Sequence, residues 1–174
     1  MVRCVHFQLA AVVEAGLAMV VAAPVVFGVR GLPKADGGEW RLPVGAFVLG
    51  SLFALLAVST RSGWLGGGRR DFESVVPLTD LEAVLPGTCE SMRRSFDVIF
   101  VANVALFSLV IGLFYDAWAV GWAVILVPER IVKGVYAFFW ERRHGALLWR
   151  GRVEEQPLGK GQFLYSSPRV LAPG

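Results

Sequence analysis

The chain has 174 residues, 55% of them hydrophobic and only 18% charged, with a formal net charge of +3. Soluble domains carry about a quarter charged residues and spread their apolar side chains with helix or strand periodicity. Here the apolar residues gather in runs with the charges between them, which excludes an ordinary soluble domain and indicates an integral membrane protein. Arginine far outnumbers lysine, and Ala, Gly and Val are abundant, a pattern that fits a GC-rich bacterial coding sequence.

A membrane-crossing α-helix needs about 20 apolar residues. Four runs approach that length, at about 7–29, 42–59, 97–115 and 117–140. The first is longer than the usual core of a cleaved signal, about 7–15 residues, and no clean Ala-x-Ala site follows it, so it reads as a retained span. It also carries Ala11, Ala15, Ala18 and Ala22 on one face, a small-residue ridge that permits close helix approach or self-association. Asp116 and its neighbours separate the last two runs, which predicts a tight helical hairpin.

Between the second and third runs lies a loop, 61–95, that opens on Gly66, Gly67, Gly68, Arg69 and Arg70. It lacks the lysine and the strand–helix setting of a phosphate-binding loop. Thr79 to Leu85 reads as a short capped helix stopped by Pro86 and Gly87. The tail 141–174 is basic and holds two strand-like stretches, 147–153 and 162–166, around a loop containing Pro157, Gly159 and Gly161. A small hairpin is expected there, and a lone hairpin is marginal in water, so it needs a partner surface.

Lysine and arginine set the expected orientation. They concentrate in the N-terminal flank, the 61–95 loop and the tail, whereas the other two loops carry only Arg30, Lys34 and Arg41. Both termini are therefore expected in the cytoplasm. Cys4 and Cys89 then share a reducing compartment, which argues against a disulfide. Trp40, Trp118, Trp122 and Trp140 fall near the expected membrane interfaces. The expected architecture is an all-α, four-span bundle over 1–140, with a C-terminal tail that adds a small β-hairpin.

Chemistry-bearing patterns are sparse. His6 and His144 lie in terminal flanks, and the chain has no zinc-binding His-Glu-x-x-His, nucleophile elbow or dinucleotide fingerprint. No catalytic, metal or cofactor site is expected, nor a nucleic-acid partner. What stands out is polar residues inside the spans: Glu14, Asn103, Glu129, Arg130 and Lys133. A charge at mid-membrane costs roughly 2.5–3.5 kcal/mol on insertion scales. Counting about 1.5 Å per residue puts Glu14 and Asn103 at similar depth, with Arg130 and Lys133 near the same layer. Glu14 is then expected to pair with Arg130 or Lys133, and Glu129 with Lys133 at i, i+4.

A competing geometry ends the fourth span near Pro128 and lays 128–140 along the interface, with Arg130 and Lys133 reaching headgroups. The leading functional expectation is a non-enzymatic accessory or scaffold subunit that binds a membrane or cytosolic protein through its basic loop and tail. The alternative is a small transporter or channel built on the charged layer.

Overall fold

The computed structural model describes residues 1–32, 41–60, 68–79 and 88–169. In chain order these hold β1 (Val2–Arg3), α1 (Cys4–Arg30), α2 (Arg41–Ser59), α3 (Gly68–Glu73), β2 (Val76–Pro77), α4 (Thr88–Ser95) and α5 (Val98–Phe114). A 3₁₀ helix (Ala117–Leu126), α6 (Val127–His144), β3 (Ala146–Arg150) and β4 (Tyr165–Pro168) follow. The fold is thus mostly helical with one small sheet. Of the short helix expected at 79–85 only Thr79 is described, and residues 33–40 around Trp40 lie outside the described residues.

Among the described residues, two stretches are long and apolar enough to cross a membrane: Cys4–Arg30, with 27 residues, and Glu90–Phe114, with 25. The second joins α4 to α5 across a turn at Asp97, whose carboxylate accepts from the Ile99 and Phe100 amides and so caps α5. In the second expected span, the apolar helical stretch Phe47–Ser59 falls short of that length. The fourth is not a single α-helix. Residues 117–126 wind as 3₁₀, and the α-helix begins only at Val127, with Pro128 in its first turn where a missing N–H costs nothing.

Contacts fix the directions of the legs. Glu14 meets Asp97, and the Gly112 backbone lies against Val26, so α5 runs parallel to α1. The return leg, made of the 3₁₀ segment and α6, runs antiparallel to α1. Val120 packs with Ala22 and Val26, Ala123 with Ala15 and Ala18, Gly134 against Gln8, and Ala137 with Cys4. At about 2 Å per 3₁₀ residue and 1.5 Å per α residue, this leg spans about 47 Å, against about 40 Å for α1. Beyond Pro128 the chain continues alongside α1 as α6. The helix α2 lies on the far side of the return leg, with Gly50 close to the Ile125 carbonyl.

Ala15, Ala18 and Ala22 are buried inside this chain, against α5 and the 3₁₀ segment. The ridge expected to serve self-association is therefore occupied by intramolecular packing. Outward-facing positions are instead large and apolar, among them Val20, Leu49, Phe53, Leu106 and Phe139, each at least half exposed. A continuous apolar exterior on a helical bundle is what lipid or a partner covers.

The sheet caps the end where α1 begins. Its order is β1-β3-β4-β2, with β1 and β3 antiparallel, β3 and β4 antiparallel, and β2 and β4 parallel. The expected tail hairpin is present, with Leu148 opposite Ser166 and Trp149 opposite Tyr165. Its partners are the chain's own N-terminus and residues from the 61–95 loop, and this completes the sheet without a bilayer surface. Gln156 ties the edge further: it donates to the Pro77 carbonyl and accepts from Thr79.

Candidate functional site

The five polar residues singled out within the spans do not converge. Glu14, 4% exposed, accepts from the Asp97 amide at 2.5 Å. Its carboxylate thus satisfies a backbone donor exposed by the break between α4 and α5, and among the described residues it forms no ion pair with Arg130 or Lys133, the partners expected for it. Lys133 donates to Glu129 at 2.6 Å, a pair within α6 as the i, i+4 spacing implies. The Arg130 guanidinium reaches toward the start of α1, 5.8 Å from the centre of the Phe7 ring. That geometry is a cation–π contact between α6 and the start of α1.

Asn103 differs most from expectation. It is exposed on the outer face of α5, beside Val104 and Ala105, which pack on the middle of α1. Depth counting failed here because α5 starts level with Glu14 and not level with Cys4. Trp122, expected at an interface, also lies at this middle level, where it donates to Ser108 at 2.8 Å and meets Phe107 edge-on.

The densest polar construction is at the sheet end. Glu141 is fully buried and accepts from Arg3 Nη2 at 2.6 Å, from Arg3 Nε at 3.3 Å and from the Leu148 amide at 3.0 Å. The Arg3 amide donates to Ser91 Oγ at 2.7 Å, and His6 Nδ1 lies 3.4 Å from the same oxygen. One buried carboxylate therefore joins β1, α6 and β3, and Arg3 passes the connection to α4. Sequence reasoning missed Glu141 because its neighbours Arg142, Arg143 and His144 make it look like one member of a solvated charged run. The available signal was its position one turn after Ala137, on the face of α6 that packs against Cys4.

Around this buried knot the exposed surface is predominantly basic, although Glu154 and Glu155 are also exposed between Arg152 and Lys160. Arg93, Arg142, Arg143, Arg152 and Lys160 are exposed there, whereas Arg30 at the opposite end is spent on the Tyr115 carbonyl at 2.7 Å. On α3, burial pushes the Asp71 carboxyl above its usual 3.8, opposed by the positive charges of Lys133, Arg150 and Arg70. Among the described residues, no group of three or more His, Cys, Asp or Glu side chains is placed to hold a metal ion.

Comparison of the chain with protein-family models, with curated proteins and with solved structures gave no match.

Proposed function

We propose that the chain is a polytopic membrane protein whose four legs cross the bilayer with the sheet end in the cytoplasm, and that it acts as a non-enzymatic accessory or scaffold subunit. Two legs meet the length and hydropathy of a membrane span by themselves. The return leg is at least as long as α1, and α2 lies alongside it. Basic residues gather at the sheet end, as the cytoplasmic bias of Lys and Arg requires.

The observation that carries the scaffold reading is the Glu141 knot. It anchors the tail into a sheet built from three separate parts of the sequence, so the arginines around it are displayed on a fixed surface and not on a loose strand. Fixed positive charge favours docking of an acidic partner surface by steering and orientation. The transporter reading is the less favoured alternative, because Glu14 accepts from the Asp97 amide, Arg130 lies over the Phe7 ring and Glu129 pairs with Lys133, which are separate contacts and not one shared cluster.

Co-purification from crosslinked native membranes tests the proposal. The wild type should retain a stoichiometric protein partner. An Arg142→Glu/Arg143→Glu/Arg152→Glu variant, inserted at the normal level, should lose it. A wild type that runs alone, or a variant that keeps the partner, refutes the scaffold reading.

A further inference from the structure

The outer face of α5 carries a seam. Ile99, Asn103, Leu106 and Val110 succeed one another by four, three and four residues, all four are exposed, and Phe114 extends the stripe. That spacing is the a/d pattern by which one helix packs along another. The apolar members are 73%, 60%, 44% and 77% exposed for Ile99, Leu106, Val110 and Phe114, so no described residue of this chain covers the stripe. Beside it runs a groove of about 480 Å³, walled by Phe100, Phe107 and Val110 and closed on one side by Trp122 of the 3₁₀ segment.

Asn103 stands in the middle of the seam, lines the groove, and makes no hydrogen bond to another described residue. Its level is the middle of the bundle, where Val104 and Ala105 meet Ala15 and Ala18. An amide facing hydrocarbon at that depth loses its hydrogen bonds to water, and an acyl chain offers none in return. Only another polypeptide can cover the stripe and satisfy the amide together. A carboxamide both donates and accepts, so Asn103 complements itself across a two-fold axis, and a symmetric pair places the same patch on both partners. A lone asparagine in an apolar helical seam is also a recognised means of fixing register and oligomeric state.

We propose that α5 is the self-association surface of the protein: two copies pack along the Ile99–Asn103–Leu106–Val110 seam and exchange hydrogen bonds between their Asn103 side chains. Ala15, Ala18 and Ala22 of the α1 ridge take no part, since they are buried within each copy. This inference rests on the membrane-spanning reading, which alkaline carbonate extraction of the same membranes reports separately.

The experiment is energy transfer between donor- and acceptor-labelled full-length chains in phosphatidylcholine vesicles, titrated over lipid-to-protein ratio, with cysteine crosslinking in native membranes. Wild type should dimerise. Asn103→Leu should weaken association by roughly five- to thirtyfold, the range of interhelical hydrogen bonds in model membrane peptides, while Asn103→Gln keeps much of it. Leu106→Cys should crosslink to itself, and Leu52→Cys, exposed on α2, should not. Unchanged helicity of Asn103→Leu by circular dichroism shows that the loss is not unfolding. A monomeric wild type, undiminished association of Asn103→Leu, or equal crosslinking at both cysteines overturns the proposal. So does a crosslink from Leu106→Cys to a different protein only. Resistance to carbonate extraction combined with any of these leaves the membrane reading standing and removes this inference alone.

Discussion

Replacing Glu141 by Leu should destabilise the sheet end far more than its place in a charged run implies. The carboxylate side chain has no exposure and the Arg3 side chain retains 24%. Removing the carboxylate leaves the Leu148 amide buried without an acceptor, at about 1–3 kcal/mol. It also strands a guanidinium, which its residual exposure allows to rehydrate, so the total should fall near 3 kcal/mol, toward the lower end of what breaking a buried pair costs. Arg3→Leu is the more severe single change for the pair itself, because the charge it strands is the one with no access to water. Arg3→Leu/Glu141→Leu together removes both charges, and the double variant should cost well below the sum of the singles.

Equilibrium unfolding in detergent micelles, followed by hydrogen exchange at the β3 and β4 amides, measures each corner of this cycle. An interaction energy of at least about 1.5 kcal/mol is expected, since contacting groups in one network couple by roughly 0.5–3 kcal/mol. Additive single variants, with coupling under about 0.5 kcal/mol, would refute the claim that this ion pair holds the sheet to the helices.

Three further outcomes follow from other contacts. A Cβ at Gly112 would lie 2.7 Å from a Val26 methyl, so Gly112→Ala should cost about 1–3 kcal/mol, and Val26→Ala should recover part of it in the same unfolding assay. Glu14→Gln retains a carbonyl acceptor for the Asp97 amide and should cost less than about 1 kcal/mol, whereas Glu14→Leu orphans that donor and should cost about 1–3 kcal/mol. Because the folded carboxyl of Asp71 sits above its usual 3.8, the folded state holds this proton more tightly than the unfolded one. Its contribution to stability is therefore full at low pH and declines as pH rises from 3.8 through the raised value. Asp71→Asn should abolish that part of the pH dependence in acid-range melts, and an unchanged profile would show that burial does not govern this group.

The apolar legs were legible because hydropathy reports burial or lipid contact whatever the detailed winding. For the same reason the 3₁₀ form of 117–126 was not legible. Ala117 to Leu126 is apolar at every position, so no periodicity separates a pitch of 3.0 from 3.6. The tail hairpin showed in its two strand-like stretches, but its companions β1 and β2 are two residues each, too short to carry a pattern. Glu129 and Lys133 were paired correctly by local spacing. The partner of Glu14 was not found, because it is a main-chain amide at a helix break and no side-chain inventory contains it. Asn103 was misplaced in depth for a related reason: α4 occupies the first turns alongside α1 and sets α5 deeper into the bundle.

The central claim is a four-legged membrane protein with its sheet end in the cytoplasm, and labelling by a membrane-impermeant maleimide tests it most directly. In a Cys4→Ala/Cys89→Ala background, Tyr115→Cys, at a position 81% exposed beyond the end of α5, should react in intact cells. Lys160→Cys, exposed in the loop between β3 and β4, should react only after the membrane is opened. Equal labelling of both positions in intact cells, or the opposite pattern, would contradict the account.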